Sequence, residues 1–177
     1  MSDLAEKTLE SKVVYQGKVL SLRLDEVALP NGSTSKREVV EHAGAVTVIA
    51  ITNDQKVLLV RQFRYSVGEV MLELPAGGLK RGEEPLICAK RELKEETGWE
   101  AEEWRELPSF FTTPGFTNEK MYLFLARNLT YTGQDLDEDE FIQVISVPLQ
   151  NTLDMVRRGE IRDAKSIVGI LLAESYK

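Results

Sequence analysis

The chain has 177 residues, of which 42% are hydrophobic and 29% charged, and its 22 Lys and Arg against 29 Asp and Glu give a formal net charge of -7. This composition is typical of one globular domain, long enough to bury roughly two-thirds of its unfolded surface in a core. The single cysteine, Cys88, excludes a disulfide within the chain. The longest clean apolar run, residues 45–51, is far shorter than the roughly 20 residues that span a bilayer, so we expect no membrane helix.

The first residues, MSDLAEKTLESK, lack the basic start and apolar stretch of a secretory signal, and we therefore expect a cytoplasmic location. The acidic balance argues against nucleic acid as a partner, because such a surface normally needs clustered Lys and Arg. A divalent cation would still allow an acidic protein to bind phosphate groups.

Strands dominate the first half of the predicted elements. Apolar and polar residues alternate in stretches between positions 13 and 29, and a turn at Pro30-Asn31-Gly32 predicts a hairpin. Further strands are predicted at residues 36–40, 45–52 and 56–64.

The second half mixes helices and strands, with a helical period at residues 83–98, where Pro85 suits the first turn and Gly98 the C-terminal cap. Strands are predicted at 104–111, 120–129 and 141–144, and helices at 150–158 and 164–175. The fold class expected from this order is α+β.

The helix predicted at 83–98 carries an unusual acidic face. Glu92, Glu95 and Glu96 stand at positions i, i+3 and i+4, which places three carboxylates on one side of a helix. Their mutual repulsion would be relieved by a hard divalent cation with oxygen ligands, and Arg91 is spaced to pair with Glu95. Taken alone, the pattern also fits a solvated acidic helix face.

The wider spacing removes that ambiguity. The pattern Gly-x5-Glu-x7-Arg-Glu-Leu-x-Glu-Glu-x-Gly resembles the signature of the Nudix hydrolases, matched by Gly77, Glu83, Arg91, Glu92, Glu95, Glu96 and Gly98. The resemblance implies an α/β/α sandwich with a mixed sheet. It also implies Mg²⁺ as cofactor, with Mn²⁺ as a substitute, held by the carboxylates of Glu92, Glu95 and Glu96 and the backbone carbonyl of Ala76. Glu83 would be a secondary ligand or would stabilise the loop.

Residues outside this motif narrow the resemblance to the ADP-ribose (ADP-sugar) pyrophosphatases. Four segments carry it: Ser35-Lys36-Arg37-Glu38, Gln62-Phe63-Arg64-Tyr65, Glu73-Leu74-Pro75-Ala76-Gly77, and Thr113-Pro114-Gly115-Phe116 with Glu119. The implied reaction is hydrolysis of ADP-ribose to AMP and ribose 5-phosphate. Other ADP-sugars are candidates for further substrates. The implied partners are this small molecule and a second copy of the chain.

The same resemblance implies roles for the substrate-binding residues. Arg64 would bind a phosphate, Glu73 and Glu119 would bind ribose or adenosine hydroxyls, and Arg37 and Glu38 would contact adenine from the partner of a domain-swapped dimer. Ordinary strand-edge charge is the alternative for Arg37 and Glu38. Residues 1–42 are accordingly expected to form an N-terminal β segment that takes part in dimerisation, and residues 43–177 the Nudix hydrolase domain.

Residues 135–140 form an acidic stretch without the pattern of a calcium loop, because Glu140 and Ser146 stand where an EF-hand needs Gly and Glu. The resemblance implies a flexible loop that delivers a general base, with Glu138 chosen and Glu140 as the alternate. Arg91 and Glu95 complete the expected catalytic set. Two other functions stay open: hydrolysis of another nucleoside di- or triphosphate, and ADP-ribose sensing without cleavage.

Overall fold

The structure is a computed structural model that describes residues 4–136, 138 and 140–176. The chain divides into two compact units. Unit 1 consists of residues 1–44 and 111–120, and unit 2 consists of residues 45–110 and 121–177.

Unit 1 is built on an antiparallel sheet of three consecutive strands, β1 (Lys7–Gln16), β2 (Leu20–Ala28) and β3 (Thr34–His42). The predicted hairpin turn joins β2 to β3, where Gly32 adopts a left-handed φ of 84°. Residues 111–120 lie against the end of β3, since the amide of Val40 donates to the carbonyl of Phe116 at 2.8 Å. All ten residues of β1 are exposed.

Unit 2 contains a four-stranded mixed sheet and a three-stranded antiparallel sheet. The mixed sheet has the order β7-β4-β9-β8, in which β4 runs parallel to β9 and antiparallel to β7, and the second sheet has the order β10-β5-β6. The strands are β4 (Ala45–Ala50), β5 (Lys56–Arg64), β6 (Glu69–Glu73), β7 (Ala76–Gly78), β8 (Trp99–Phe111), β9 (Lys120–Tyr131) and β10 (Gln143–Pro148). The helices are α1 (Pro85–Thr97), α2 (Leu149–Arg157) and α3 (Ala164–Glu174).

Helices cover both faces of the mixed sheet, which explains the continuous apolar run of β4. Ile49 packs in one core with residues of α2 and α3, whereas its neighbours Val48 and Ala50 pack in a second core with residues of α1. A strand buried on both faces needs apolar side chains at every position rather than at alternate ones. The expected α+β class and the mixed-sheet sandwich are confirmed.

Two short strands were not predicted from the sequence, namely β6 and β7. Strand β7 is Ala-Gly-Gly, a sequence that favours a loop, and it is a strand because it pairs with the edge of β4. Among the described residues, no helix has both the length and the apolar character required to cross a bilayer.

Candidate active site

Helix α1 has the ends that the sequence predicted. Pro85 stands in its first turn and Lys94 in its last, and Gly98 terminates it with a left-handed φ of 75° while donating its amide to the carbonyl of Lys94 at 2.8 Å. A Cβ atom at residue 98 would also lie 2.7 Å from the amide nitrogen of Gln134, so glycine is required there on two grounds.

The three glutamates of α1 differ in their surroundings. Glu96 is only 3% exposed and Glu92 8%, whereas Glu95 is partly exposed. Burial raises the pKa of Glu96 to about 8, and burial also raises the pKa of Glu92 above its usual range. Burial therefore destabilises the anionic form of both carboxylates.

Arg91 is the cation that the chain itself supplies to this face. Its guanidinium pairs with Glu92 at 2.6 Å and Glu95 at 2.8 Å, and the predicted Arg91–Glu95 pair is thereby present. It also binds Glu83 at 3.0 Å, and Glu83 in turn accepts the amide of Lys80 at 2.8 Å. Hydrogen bonding from Arg91 lowers the pKa of Glu83 to about 2, which identifies Glu83 as a charged anchor of the loop before α1.

The β7 loop lies directly against the acidic face. The amide of Ala76 donates to Glu96 Oε2 at 2.9 Å. A Cβ atom at Gly77 would stand 1.9 Å from Cδ of Glu92, so a larger residue there would displace that carboxylate. Strand β7 and helix α1 thus place the backbone of Ala76 and Gly77 against the carboxylates of Glu96 and Glu92.

These residues suit a hard divalent cation. The side-chain ligands on offer are carboxylate oxygens. Two of the three carboxylates are buried, and the positive charge within the protein does not fully offset the cost of ionising them. Across the described parts of the chain, no three acidic, His or Cys side chains are already gathered into a metal-binding cluster. Because Arg91 holds Glu92 and Glu95, a cation would compete with the guanidinium for their oxygens.

A second group of charges lies on the β5–β6 hairpin. Arg64 forms a bidentate pair with Glu73 through hydrogen bonds of 2.8 and 2.7 Å, and Lys165 of α3 binds the same carboxylate at 2.5 Å. Burial opposes the charge of Glu73, but Arg64 and Lys165 outweigh it and lower the pKa of Glu73. Hydrogen bonding to Glu73 raises the pKa of Arg64, and the negative charge of Glu96 adds to this effect.

Sequence reasoning missed two residues in this region. Lys165 stands 92 positions from Glu73, and no local pattern indicated their contact. The buried amide nitrogen of Gln62 has no hydrogen-bond partner among the described residues. Because side chains alternate along a strand, Gln62 shares one face of β5 with Leu58 and Arg64, and Leu58 packs in the α1 core. A ligand oxygen or an ordered water would satisfy this amide.

The two candidate bases of the acidic loop differ in exposure, since Glu138 is exposed and Glu140 is partly buried. Burial is the main cause of the raised pKa of Glu92 and Glu96, and the negative charge of Glu140 adds to it. Asp137 and Asp139 of the same stretch lie outside the described residues.

The loop is fastened to the helix that carries the acids. The amide of Thr132 donates to the carbonyl of Gly98 at 2.7 Å, and the amide of Asp135 donates to the carbonyl of Glu95 at 3.2 Å. These bonds satisfy carbonyl groups that the end of α1 leaves unpaired.

Three of the predicted substrate-binding residues belong to unit 1. Arg37 of β3 pairs with Glu6 at 2.5 Å, and Glu38 is exposed. Glu119 accepts a hydrogen bond from Thr112 at 2.7 Å. Within this unit they form no shared cluster, and their predicted roles in substrate binding stay predictions.

Comparison with protein families gives two matches that together cover most of the chain. The NUDIX domain model matches residues 41–167, and the model of the nucleoside diphosphate sugar hydrolase N-terminal domain matches residues 6–40.

Individual proteins show the same similarity over nearly the full length. The ADP-ribose pyrophosphatase of Bacillus subtilis is 44% identical over 172 residues, which are 96% of this chain and 93% of that protein. The methanol dehydrogenase activator of Bacillus methanolicus is 44% identical over 167 residues, 93% of this chain and 90% of that protein. The crystal structure of an ADP compounds hydrolase has the same fold, with a TM-score of 0.86 over 97% of this chain and 93% of that chain at 22% identity.

Proposed function

Since the chain belongs to the NUDIX domain family and is a hydrolase, we propose that it hydrolyses ADP-ribose to AMP and ribose 5-phosphate. The observation that carries the proposal is the contact of two α1 glutamates, Glu96 and Glu92, with Ala76 and Gly77 of β7. The similarity to a named ADP-ribose pyrophosphatase supports the choice of substrate.

The proposed cofactor is Mg²⁺, with Mn²⁺ as a substitute, held by Glu92, Glu95, Glu96 and the carbonyl of Ala76. When bound, such an ion neutralises the diphosphate charge and lowers the pKa of a coordinated water. The buried glutamates favour it because a cation compensates two carboxylates that burial destabilises as anions.

The chain's own residues would orient and activate the reactants. Arg64 would hold the diphosphate, because Glu73 accepts only two of its five guanidinium N–H groups and the others can bind phosphate oxygens. A loop glutamate would accept the proton of the attacking water. We propose Glu140 in this role ahead of Glu138, since the charge of Glu140 reaches Glu92 and Glu96.

We further propose a homodimer in which the N-terminal strands are exchanged. Strand β1 is exposed along its whole length and presents large apolar side chains to solvent, including Leu9 and Val13, each 53% exposed. Exposed apolar strands of this kind normally meet a partner. In such a dimer, Arg37 and Glu38 would bind the adenine at the partner's site, and Glu119 would bind a hydroxyl of the substrate.

Incubation of the purified chain with ADP-ribose and Mg²⁺, followed by chromatography of the products, tests the proposed reaction. We expect equimolar AMP and ribose 5-phosphate from the wild type and none from Glu96→Gln. A panel of ADP-glucose, ADP-mannose, GDP-mannose and nucleoside triphosphates ranks the substrates, and a preference for a triphosphate would overturn the proposal. Binding of ADP-ribose in the presence of chelator, without turnover under any divalent metal, would instead identify a sensor.

A second candidate function is activation of a dehydrogenase, favoured by the 44% identity to a methanol dehydrogenase activator. The purified chain should then raise the rate of methanol dehydrogenase in a coupled assay. Comparison with Glu96→Gln decides whether the hydrolytic site is needed, because only a hydrolysis-dependent effect disappears in that variant.

A further inference from the structure

The buried carboxylate of Glu73 is shared by two cations from distant parts of the chain. Its side chain is 2% exposed, and it binds Arg64 of β5 at 2.7 Å and Lys165 of α3 at 2.5 Å. The Lys165 side chain is 11% exposed, whereas that of Arg64 is 40% exposed. The carboxylate therefore joins an interior cation to one that faces solvent.

Lys165 is itself fixed by the start of α3. Its ammonium group lies 2.9 Å from Asp163, the N-cap residue of the helix, whose carboxylate also accepts from the amide and hydroxyl of Ser166 at 3.0 and 2.6 Å. The Ser166 hydroxyl accepts the amide of Leu74 at 2.7 Å. Lys165 thus belongs to a hydrogen-bonded network that ties the end of β6 to the first turn of α3.

Arg64 is held by only part of its hydrogen-bonding capacity. A guanidinium has five N–H groups, and Glu73 takes one from Nε and one from Nη2. Among the residues that the structure describes, the other three have no protein acceptor. Because the guanidinium is planar and is held along one edge by Glu73, its remaining N–H groups point in a fixed direction. This arrangement suits the oxygens of a diphosphate.

Lys165 also affects the charge around the Arg64 guanidinium. Arg64 and Lys165 together compensate Glu73 and Asp163, so the four groups carry no net charge. Without Lys165 the set would carry one negative charge beside the guanidinium. That charge would repel a diphosphate and would leave Glu73 paired on one side only.

We infer that Lys165 is a positioning residue for substrate binding, which acts through Glu73 to orient Arg64 and to leave its charge available to the diphosphate. The inference rests on the proposed function, in which Arg64 binds the diphosphate of the substrate. Lys165 itself need not touch the substrate.

A double-mutant cycle on the holoenzyme tests the inference. Lys165→Met should raise KM for ADP-ribose about 10-fold and leave kcat within about 2-fold, since the change affects binding rather than the reacting groups. Arg64→Gln should raise KM at least as much. In the Arg64→Gln background, Lys165→Met should raise KM by a clearly smaller factor, because only the repulsion by the uncompensated carboxylates remains once the guanidinium is gone. Lys165→Arg should restore KM to near the wild-type value.

The matched control is Arg162→Gln. Arg162 lies in the same segment and pairs with Glu69 of β6, but this pair is exposed and does not reach Glu73. Its KM should equal that of the wild type. The pair variant Glu73→Gln with Lys165→Met removes one charge of each sign and guards against misfolding of the single variant. It should also raise KM, but only when Arg64 is present.

Two results would overturn the inference: an equal KM increase from Lys165→Met in both backgrounds, or no KM change in either. Failure of the proposed function is a separate result, because the wild type would then be inactive on ADP-ribose. In that event the same cycle is run on the diphosphate substrate that the wild type does hydrolyse.

Discussion

Gly77 stands so close to Glu92 that a Cβ atom on the glycine would lie 1.9 Å from Cδ of the carboxyl group. No rotamer adjustment of an alanine methyl relieves such an approach, because the Cβ position is fixed by the backbone. The glutamate or the loop would have to move. The position of the buried acid therefore depends on the missing side chain of its neighbour.

Gly77→Ala should lower kcat by about 100-fold, since displacement of a reacting group by about 1 Å costs on that order. The measurement is steady-state hydrolysis of ADP-ribose at saturating Mg²⁺. Gly78→Ala is the matched control, because nothing lies within 4 Å of a Cβ atom at that residue. Similar losses in the two variants would show that the contact with Glu92 is not the cause.

The metal-free protein should lose stability as the pH rises from about 4.5 to about 8. Burial raises the pKa of Glu96 from 4.5 to about 8, so within this range the folded state retains a proton that the unfolded chain has lost. The protonated Glu96 side chain therefore contributes fully to the free energy of unfolding below pH 4.5, and this contribution is lost as the pH rises toward 8. The total loss should be a few kcal/mol, since each unit of pKa difference corresponds to about 1.4 kcal/mol.

Urea denaturation in the presence of chelator, compared between wild type and Glu96→Gln, isolates this effect. The variant should lack the Glu96 component of the pH slope. Added Mg²⁺ should stabilise the wild type more at pH 8 than at pH 6, because a proton competes with the cation for the carboxylate. An identical pH slope in the two proteins would refute the assignment.

Glu140→Gln should lower kcat by 100-fold or more, in the range of about 10²–10⁴ that general-base catalysis supplies. KM should change little, because the loop carboxylate acts on the attacking water. Glu138→Gln is the matched control on the same loop and should retain most of the activity. Single-turnover kinetics with bound ADP-ribose measures the chemical step directly, and a larger loss from Glu138→Gln would reverse the assignment.

Replacement of apolar residues on β1 should dissociate the proposed dimer. Leu9→Lys combined with Val13→Lys places two charges on a strand whose apolar side chains are exposed. Sedimentation equilibrium should show a dimer for the wild type and a monomer for this variant. Thr8→Lys, also on β1, is the control for added charge and should remain dimeric.

The exchange of strands can be tested by mixing two variants, each impaired at a different residue of the proposed site. Arg37→Ala and Glu96→Gln should each be impaired alone. If Arg37 serves the partner's site, equal mixing makes half of the dimers mixed, each with one intact site of two, so about a quarter of wild-type activity returns. Recovery would be absent if Arg37 served its own chain.

Local signals carried most of what the sequence predicted. Gly98 predicted the end of α1 because a left-handed cap requires glycine, and Arg91 predicted its pair with Glu95 because residues four apart meet on a helix. The apolar run of β4 indicated a buried strand, and the matched motif identified the fold of the whole chain.

Such local signals could not predict contacts between segments that are distant in sequence. Lys165 meets Glu73 across 92 positions, and its spacing on α3 looks like that of any solvated lysine. Strand β7 exists because β4 offers it an edge, not because Ala-Gly-Gly prefers to be extended. The exposure of Glu138 and the partial burial of Glu140 depend on the path of a loop, which acidic composition does not specify.

Because the amides of Thr132 and Asp135 are hydrogen-bonded to the carbonyl end of α1, the acidic loop begins at a point that is fixed to this helix. Residues added to or removed from the loop on either side of Glu140 should therefore cost little stability, since loop-closure entropy changes slowly with length. The α1 glutamates should keep their positions in such length variants, whereas kcat should fall wherever Glu140 no longer reaches the site.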